Sequence, residues 1–168
     1  STVGTITEIS DYLRLLYSKA STAYSPVSGG EMVRYTDAQI VELILKTFSG
    51  KKCILLSPLV RGRKGNYRDL FENLSKKGFT RVRIDGQIRG LYDTDSLDRY
   101  KAHFIELVVD KMKPTDSDVA RIRNSVQLAL DMGKGSVSIL DVESGQLHHY
   151  SKHLIDPVTG VSLLEPAP

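Results

Sequence analysis

A chain of 168 residues, 40 % hydrophobic and 26 % charged, suffices for one medium domain, or a smaller one with flanking arms, of ordinary soluble balance. No run of about 18 apolar residues is present, which excludes a membrane-spanning helix, and the first residues, STVGTITE, lack the basic start and apolar core of a signal peptide. The net charge of +3 is unevenly spread: residues 51–90 hold eleven Lys/Arg against three acids, the footprint of an anionic partner or of a solvated basic face.

In chain order, residues 6–19 place Ile9, Tyr12, Leu13 and Leu16 at helical spacing. The loop SPVSGG follows, and then TDAQ (36–39), a capping box before a helix that buries Ile40, Leu43 and Ile44. The period changes at Lys51, and KCILLSPLV (52–60) is a continuous apolar run, the pattern of a strand covered on both faces. RGRKG (61–65) reads as a loop, 66–77 as a helix, and Gly78 as its left-handed cap.

Residues 79–89 alternate. Val82, Ile84 and Ile88 are expected on one face and Arg81, Arg83 and Asp85 on the other. A polar connection then leads to a strand over 103–112. Thr115 opens a helix that runs to Met132, with Gly133 as its stop. Residues 136–142 and 147–154 close as a hairpin. The expectation is an α+β (α/β) domain: a compact mixed sheet with two packing helices over 51–154, helical arms over 1–50, and an irregular tail over 155–168. Cys53, the single cysteine, excludes an internal disulfide, fits a reducing, cytoplasmic setting, and reads as a small buried hydrophobe. A first residue other than Met leads us to expect a fragment or a processed chain.

The motifs that could carry chemistry are weak. VSGGE (27–31) is similar to the signature loop of ATP-binding-cassette ATPases, but no helix is expected to open at Gly29-Gly30, where such a loop grips phosphate. RGRKG lacks the spacing of a phosphate loop and the Ser/Thr that would hold Mg²⁺. His148 and His149 are consecutive on a strand and point to opposite faces, so they do not converge on a metal with His103 or His153. No nucleophile–base set is apparent, and we expect no enzyme activity.

Four segments, in order, carry a resemblance: STVGTITEISDYLRLLY (1–17), PLVRGRKGNYRDLFENLSKKGFTRVRIDGQI (58–88), the 103–133 pattern HFIELVVDKM…RIRNSVQLAL…G, and SLLEP (162–166). Together they closely resemble the UvrA family of the bacterial UvrABC excinuclease, in the inserted module that binds the helicase-like component UvrB. The resemblance implies a protein-docking module of a DNA-damage-recognising, ABC-type ATPase of nucleotide excision repair, whose parent is a cytoplasmic homodimer. It implies no ATP hydrolysis by this chain, because the nucleotide-binding motifs lie in other parts of the UvrA proteins.

Many members of that family carry C-P-x-C-G twice, four thiolates around one Zn²⁺. The matching positions here are Ser25 and Ser28, then Asp156 and Thr159, inside YSPVSGG and DPVTG. Hydroxyls are poor zinc ligands, so the two turns are expected to persist without metal, held by hydrogen bonds or packing. The expected partner-binding residues are Arg83, Arg81, Asp85 and Lys111 on the polar sheet face, with Arg63 and Lys64 in the basic loop. An alternative remains open, in which the basic segment binds DNA directly through phosphates.

Overall fold

The computed structural model describes residues 16–17, 23–24, 28–94 and 97–161. In chain order the elements are β1 (Leu16–Tyr17), β2 (Ala23–Tyr24), α1 (Asp37–Phe48), β3 (Cys53–Lys64), α2 (Arg68–Lys76), β4 (Arg81–Ile84), β5 (Gln87–Gly90), β6 (Ala102–Met112), α3 (Val119–Met132), β7 (Ser136–Asp141) and β8 (Leu147–Ser151). Strands β3 to β8 form one six-stranded sheet in the order β5-β4-β6-β3-β7-β8. Every pairing within it is antiparallel. The α+β class expected from the sequence holds, with an antiparallel rather than mixed sheet and with three helices rather than two packed on it.

The helices sit where the apolar faces require them. Thr36 and Gln39 form the reciprocal capping box, with Gln39 N–H donating to Thr36 Oγ1 at 3.1 Å and Thr36 N–H donating to Gln39 Oε1 at 2.9 Å. Helix α1 then buries Ile40, Val41, Ile44 and Phe48 against Cys53, Leu55, Ile122, Val126 and Ile139. The expected boundary at residue 50 therefore falls inside one hydrophobic cluster. A second cluster joins Phe71 and Leu74 of α2 to Val82, Ile84, Ile105 and Leu107. Each such side chain withdrawn from water contributes about 2 kcal/mol before the entropy of ordering is subtracted. Ser57 crosses between layers, donating to the Ala129 carbonyl at 2.7 Å. Cys53 is fully buried, and burial pushes its thiol up to about 12, so it packs and does not react.

Three departures from the sequence reading concern the strands. Residues 79–89 are not one strand but a hairpin: Asp85 (φ 49°) and Gly86 (φ 87°) both take left-handed backbone, as a two-residue primed turn requires. The turn reverses the register, so Ile88 pairs with Arg83 and lies on the Arg83 face, not with Val82 and Ile84. Residues 61–64 are strand rather than loop: β3 runs through to Lys64 opposite Ala102, with a register shift between Arg61 and Arg63 that accommodates Gly62 (φ 66°). Finally, Leu16–Tyr17 pair as a short strand with Ala23–Tyr24, which contradicts the end of the helix expected over 6–19. The rest of that helix lies outside the described residues.

The incoming and outgoing segments are pinned together. Val33 and Ile155 exchange two backbone hydrogen bonds, each 2.9 Å. Met32 and Ile155 are buried. Among the described residues no helix is long and apolar enough to cross a membrane.

Candidate docking face

One face of the sheet carries the three helices. The other is helix-free and is partly crossed by residues 155–161, with Gly160 against the His149 ring. Cross-strand pairing fixes what the helix-free face displays. Ile88, Arg83, Glu106 and Pro58 are successive partners across β5, β4, β6 and β3, and Arg61 partners Phe104 one step along. Arg83, Glu106, Pro58, Arg61 and Phe104, with Val60, Asp85, Ser138, Leu147, His149 and Thr159, border a cleft of about 480 Å³.

The most exposed apolar side chains here are Phe104 (55 %) and Ile88 (41 %). Phe104 owes its position to Gly62, for a Cβ there would stand 3.2 Å from the ring. The ring thus lies over a bare stretch of β3 and faces outward. Sequence reasoning reads Phe104 only as part of an apolar strand. Its strict alternation with buried His103 and Ile105 is the available signal.

The sequence reading has Arg83 pointing freely outward. Instead its guanidinium donates to Glu106 at 2.5 Å, with only 16 % and 9 % of the two side chains exposed. Burial raises the Glu106 carboxyl above its ordinary range, and Arg83 and Arg61 oppose that rise without cancelling it. The reason is the register: Arg83 and Glu106 are direct cross-strand partners beside the cleft. Arg61 donates to the Gly160 carbonyl, which ties the outgoing turn to the sheet. His149 is held neutral, lowered to about 4 by burial and then by Arg61, and its Nδ1 lies 2.9 Å from Ser138 Oγ.

The remaining expected residues separate into two groups. Asp85 occupies the hairpin tip, at the end of the sheet where Arg63 and Lys64 finish β3. Asp85 Oδ1 accepts from Phe104 N–H at 2.8 Å, and Oδ2 lies 2.7 Å from His103 Nδ1. Burial alone would raise Asp85; the hydrogen bonds from His103 and Phe104 outweigh it and lower its pKa. Arg81 is exposed at the start of β4. Lys111 is exposed too, but it pairs with Ile54, three residues past the level of Arg81 and roughly 10 Å along the strand. Arg83 and Asp85 border the same cleft as Phe104. Lys64, opposite Ala102, ends β3 on the Phe104 face, whereas Arg63 partners buried His103 and so lies on the opposite face. Arg81 stands about four residues along from the level of Phe104, and Lys111 lies farther still.

The zinc ligand set implied by the resemblance does not fit the described positions. Ser28 Oγ accepts from Gly30 N–H at 3.1 Å and Thr159 Oγ1 from Val161 N–H at 3.3 Å. Buried Asp156 uses Oδ1 to accept from Val158 N–H at 2.9 Å. Ser25 lies outside the described residues. These oxygens hold their own turns, as side-chain caps do. Excess chelator should therefore leave the thermal unfolding midpoint of the purified protein unchanged, whereas Asp156→Ala should cost about 1–3 kcal/mol in denaturant unfolding. A chelator-induced drop of the midpoint would refute this.

Compared with known proteins, residues 36–143 match the family model described as the UvrA interaction domain. The chain is 41 % identical over 170 residues to UvrABC system protein A of Thermus thermophilus, covering all of this chain and 18 % of that protein. It is 38 % identical over 165 residues to the Aquifex aeolicus protein of the same name, with 98 % and 18 % covered. Against the Mycobacterium tuberculosis protein, identity is 42 % over 150 residues, with 88 % and 15 % covered. The chain thus spans less than a fifth of the length of these relatives.

Proposed function

The chain belongs to the UvrA family, as a piece carrying its interaction domain, and from that premise we propose that it is a non-catalytic docking module of a nucleotide excision repair protein and binds the excinuclease component UvrB. The observation that carries the reading is the helix-free sheet face: an exposed aromatic at the border of a cleft, with Asp85 at the same cleft, Ile88 exposed on the same face, and Lys64 and Arg81 exposed toward its two ends. An apolar centre within a charged rim is the anatomy of a specific protein interface. The parent would be a cytoplasmic, homodimeric ATPase that contacts damaged DNA through its other domains. ATP and zinc would belong to the full-length family, not to this module.

The rival, direct DNA binding by the basic segment, is weakened by how its charges are spent. Arg83 is paired with Glu106, and Lys76 with Glu72 at 3.3 Å. A phosphate-binding stripe needs unneutralised cations along a groove. The deciding experiment is a titration of this protein with UvrB and, in parallel, with duplex DNA at two salt concentrations. UvrB should bind, and Arg81→Ala should lower its affinity about threefold at low salt and less at high salt, as a rim charge does. Duplex binding tighter than UvrB binding, with a steep salt slope, would overturn the proposal in favour of the rival.

A further inference from the structure

We propose that His103 is a proton-held positioning residue: as an imidazolium it donates at once to the Asp85 carboxylate and to the Asp98 carbonyl, and so fixes the tip of the β4–β5 hairpin beside Phe104. Both contacts are 2.7 Å, Nδ1 to Asp85 Oδ2 and Nε2 to Asp98 O. A main-chain carbonyl only accepts, and an ionised carboxylate only accepts. Both ring nitrogens must therefore carry protons, which describes the cation and neither neutral tautomer. Deprotonation forfeits one of the two bonds.

The surroundings explain why the ring can play this part. His103 is buried, at 5 % exposure, so water does not replace a lost bond. Its cross-strand neighbour on β3 is Arg63. Tyr67, ahead of α2, sets its ring edge-on at 6.4 Å, and Arg89 of β5 acts on Asp85. The hydrogen bond to Asp85 is the largest influence raising the His103 pKa; the Asp98 carbonyl adds to it and burial opposes. The same Asp85 carboxylate accepts from Phe104 N–H through its other oxygen. One proton thereby joins the turn, the 97–101 connection and the strand that carries the exposed aromatic.

The sign follows from linkage. A histidine whose folded pKa lies above its unfolded value stabilises fully below about 6.5, and the contribution is lost as pH rises through the folded pKa. Asp85, lowered on folding, contributes above its ordinary carboxylate value, and that part is lost as pH falls through its folded pKa. The latch is closed between those limits.

The test is an NMR pH titration of the whole chain that follows the His103 ring and the backbone amides of Asp85, Gly86 and Phe104. The expected result is one shared midpoint above about 6.5 for ring and tip amides, which falls to the ordinary histidine value in Asp85→Asn. A ring midpoint at or below that value, or tip amides that do not follow the ring, overturns the proposal. The consequence for docking rests on the reading in the previous subsection. Affinity for UvrB should drop severalfold above the midpoint, and His103→Gln should bind at all pH values as wild type does at high pH. A His103→Gln variant that keeps the wild-type pH profile of affinity overturns the positioning role. Coincident midpoints with no UvrB binding at any pH support the latch and reject the docking reading instead.

Discussion

Phe104→Ala should bind UvrB about thirtyfold more weakly than wild type, a loss of about 2 kcal/mol, while its denaturant stability stays within about 0.5 kcal/mol. The two expectations come from one observation. At 55 % exposure the ring contributes little to the folded core, so removing it leaves the fold nearly untouched. An aromatic held outward over Gly62, at the border of a cleft, is ordered before any partner arrives. Little side-chain entropy then remains to be lost on docking. Ile88→Ala should follow with a smaller loss, since Ile88 offers less area. Calorimetric titration of wild type and both variants checks this. Equal affinity for Phe104→Ala and wild type would remove the apolar centre from the docking face and leave only its charges.

That ring is the residue hardest to see in the sequence, and the reason is physical. Periodicity assigns a residue to a face, but it does not say which face a helix will cover. HFIELVVDKM marks β6 clearly, and the alternation of His103, Phe104 and Ile105 is present in it. Only the packing of α2 on Ile105 and Leu107 decides that Phe104 faces solvent. Where the determinants are local, the sequence reading succeeds. The Thr36–Gln39 box and the Gly78 stop appear as expected, because each involves residues within a few positions of one another. Thr115 does form a box with Asp118, but it opens a short 3-10 turn, Asp116–Asp118, and the α-helix begins only at Val119. Asp85-Gly86 is equally local, and as a two-residue turn signal it specifies the hairpin. Reading through it as a single strand puts Ile88 on the wrong face. The Arg83–Glu106 pair is out of reach for a different reason: its members are 23 positions apart and meet only once β4 and β6 are in register.

The pair also sets the second large effect. Glu106→Ala should destabilise the protein by about 3 kcal/mol, because it leaves the Arg83 guanidinium largely buried without a counter-charge. Arg83→Ala should also be destabilising near neutral pH, with a deficit that shrinks as pH falls. Glu106 is already raised by burial; without Arg83 it rises further, and a buried carboxyl whose folded pKa exceeds its unfolded value gains stability as it takes up its proton. A loss of UvrB affinity in Arg83→Ala alone therefore mixes two causes, a missing contact and a damaged sheet. The double variant Arg83→Met, Glu106→Leu separates them. A well-packed apolar pair of similar volume can replace a buried ion pair at little net cost, so unfolding should return close to wild type. Weak docking by that stable double variant would make Arg83 a direct contact. Wild-type docking would confine it to bracing β4 against β6, and the charged contacts would then rest with Arg81 and Asp85. Should Glu106→Ala prove as stable as wild type, the ion pair carries no weight in the sheet and both readings of Arg83 fall together.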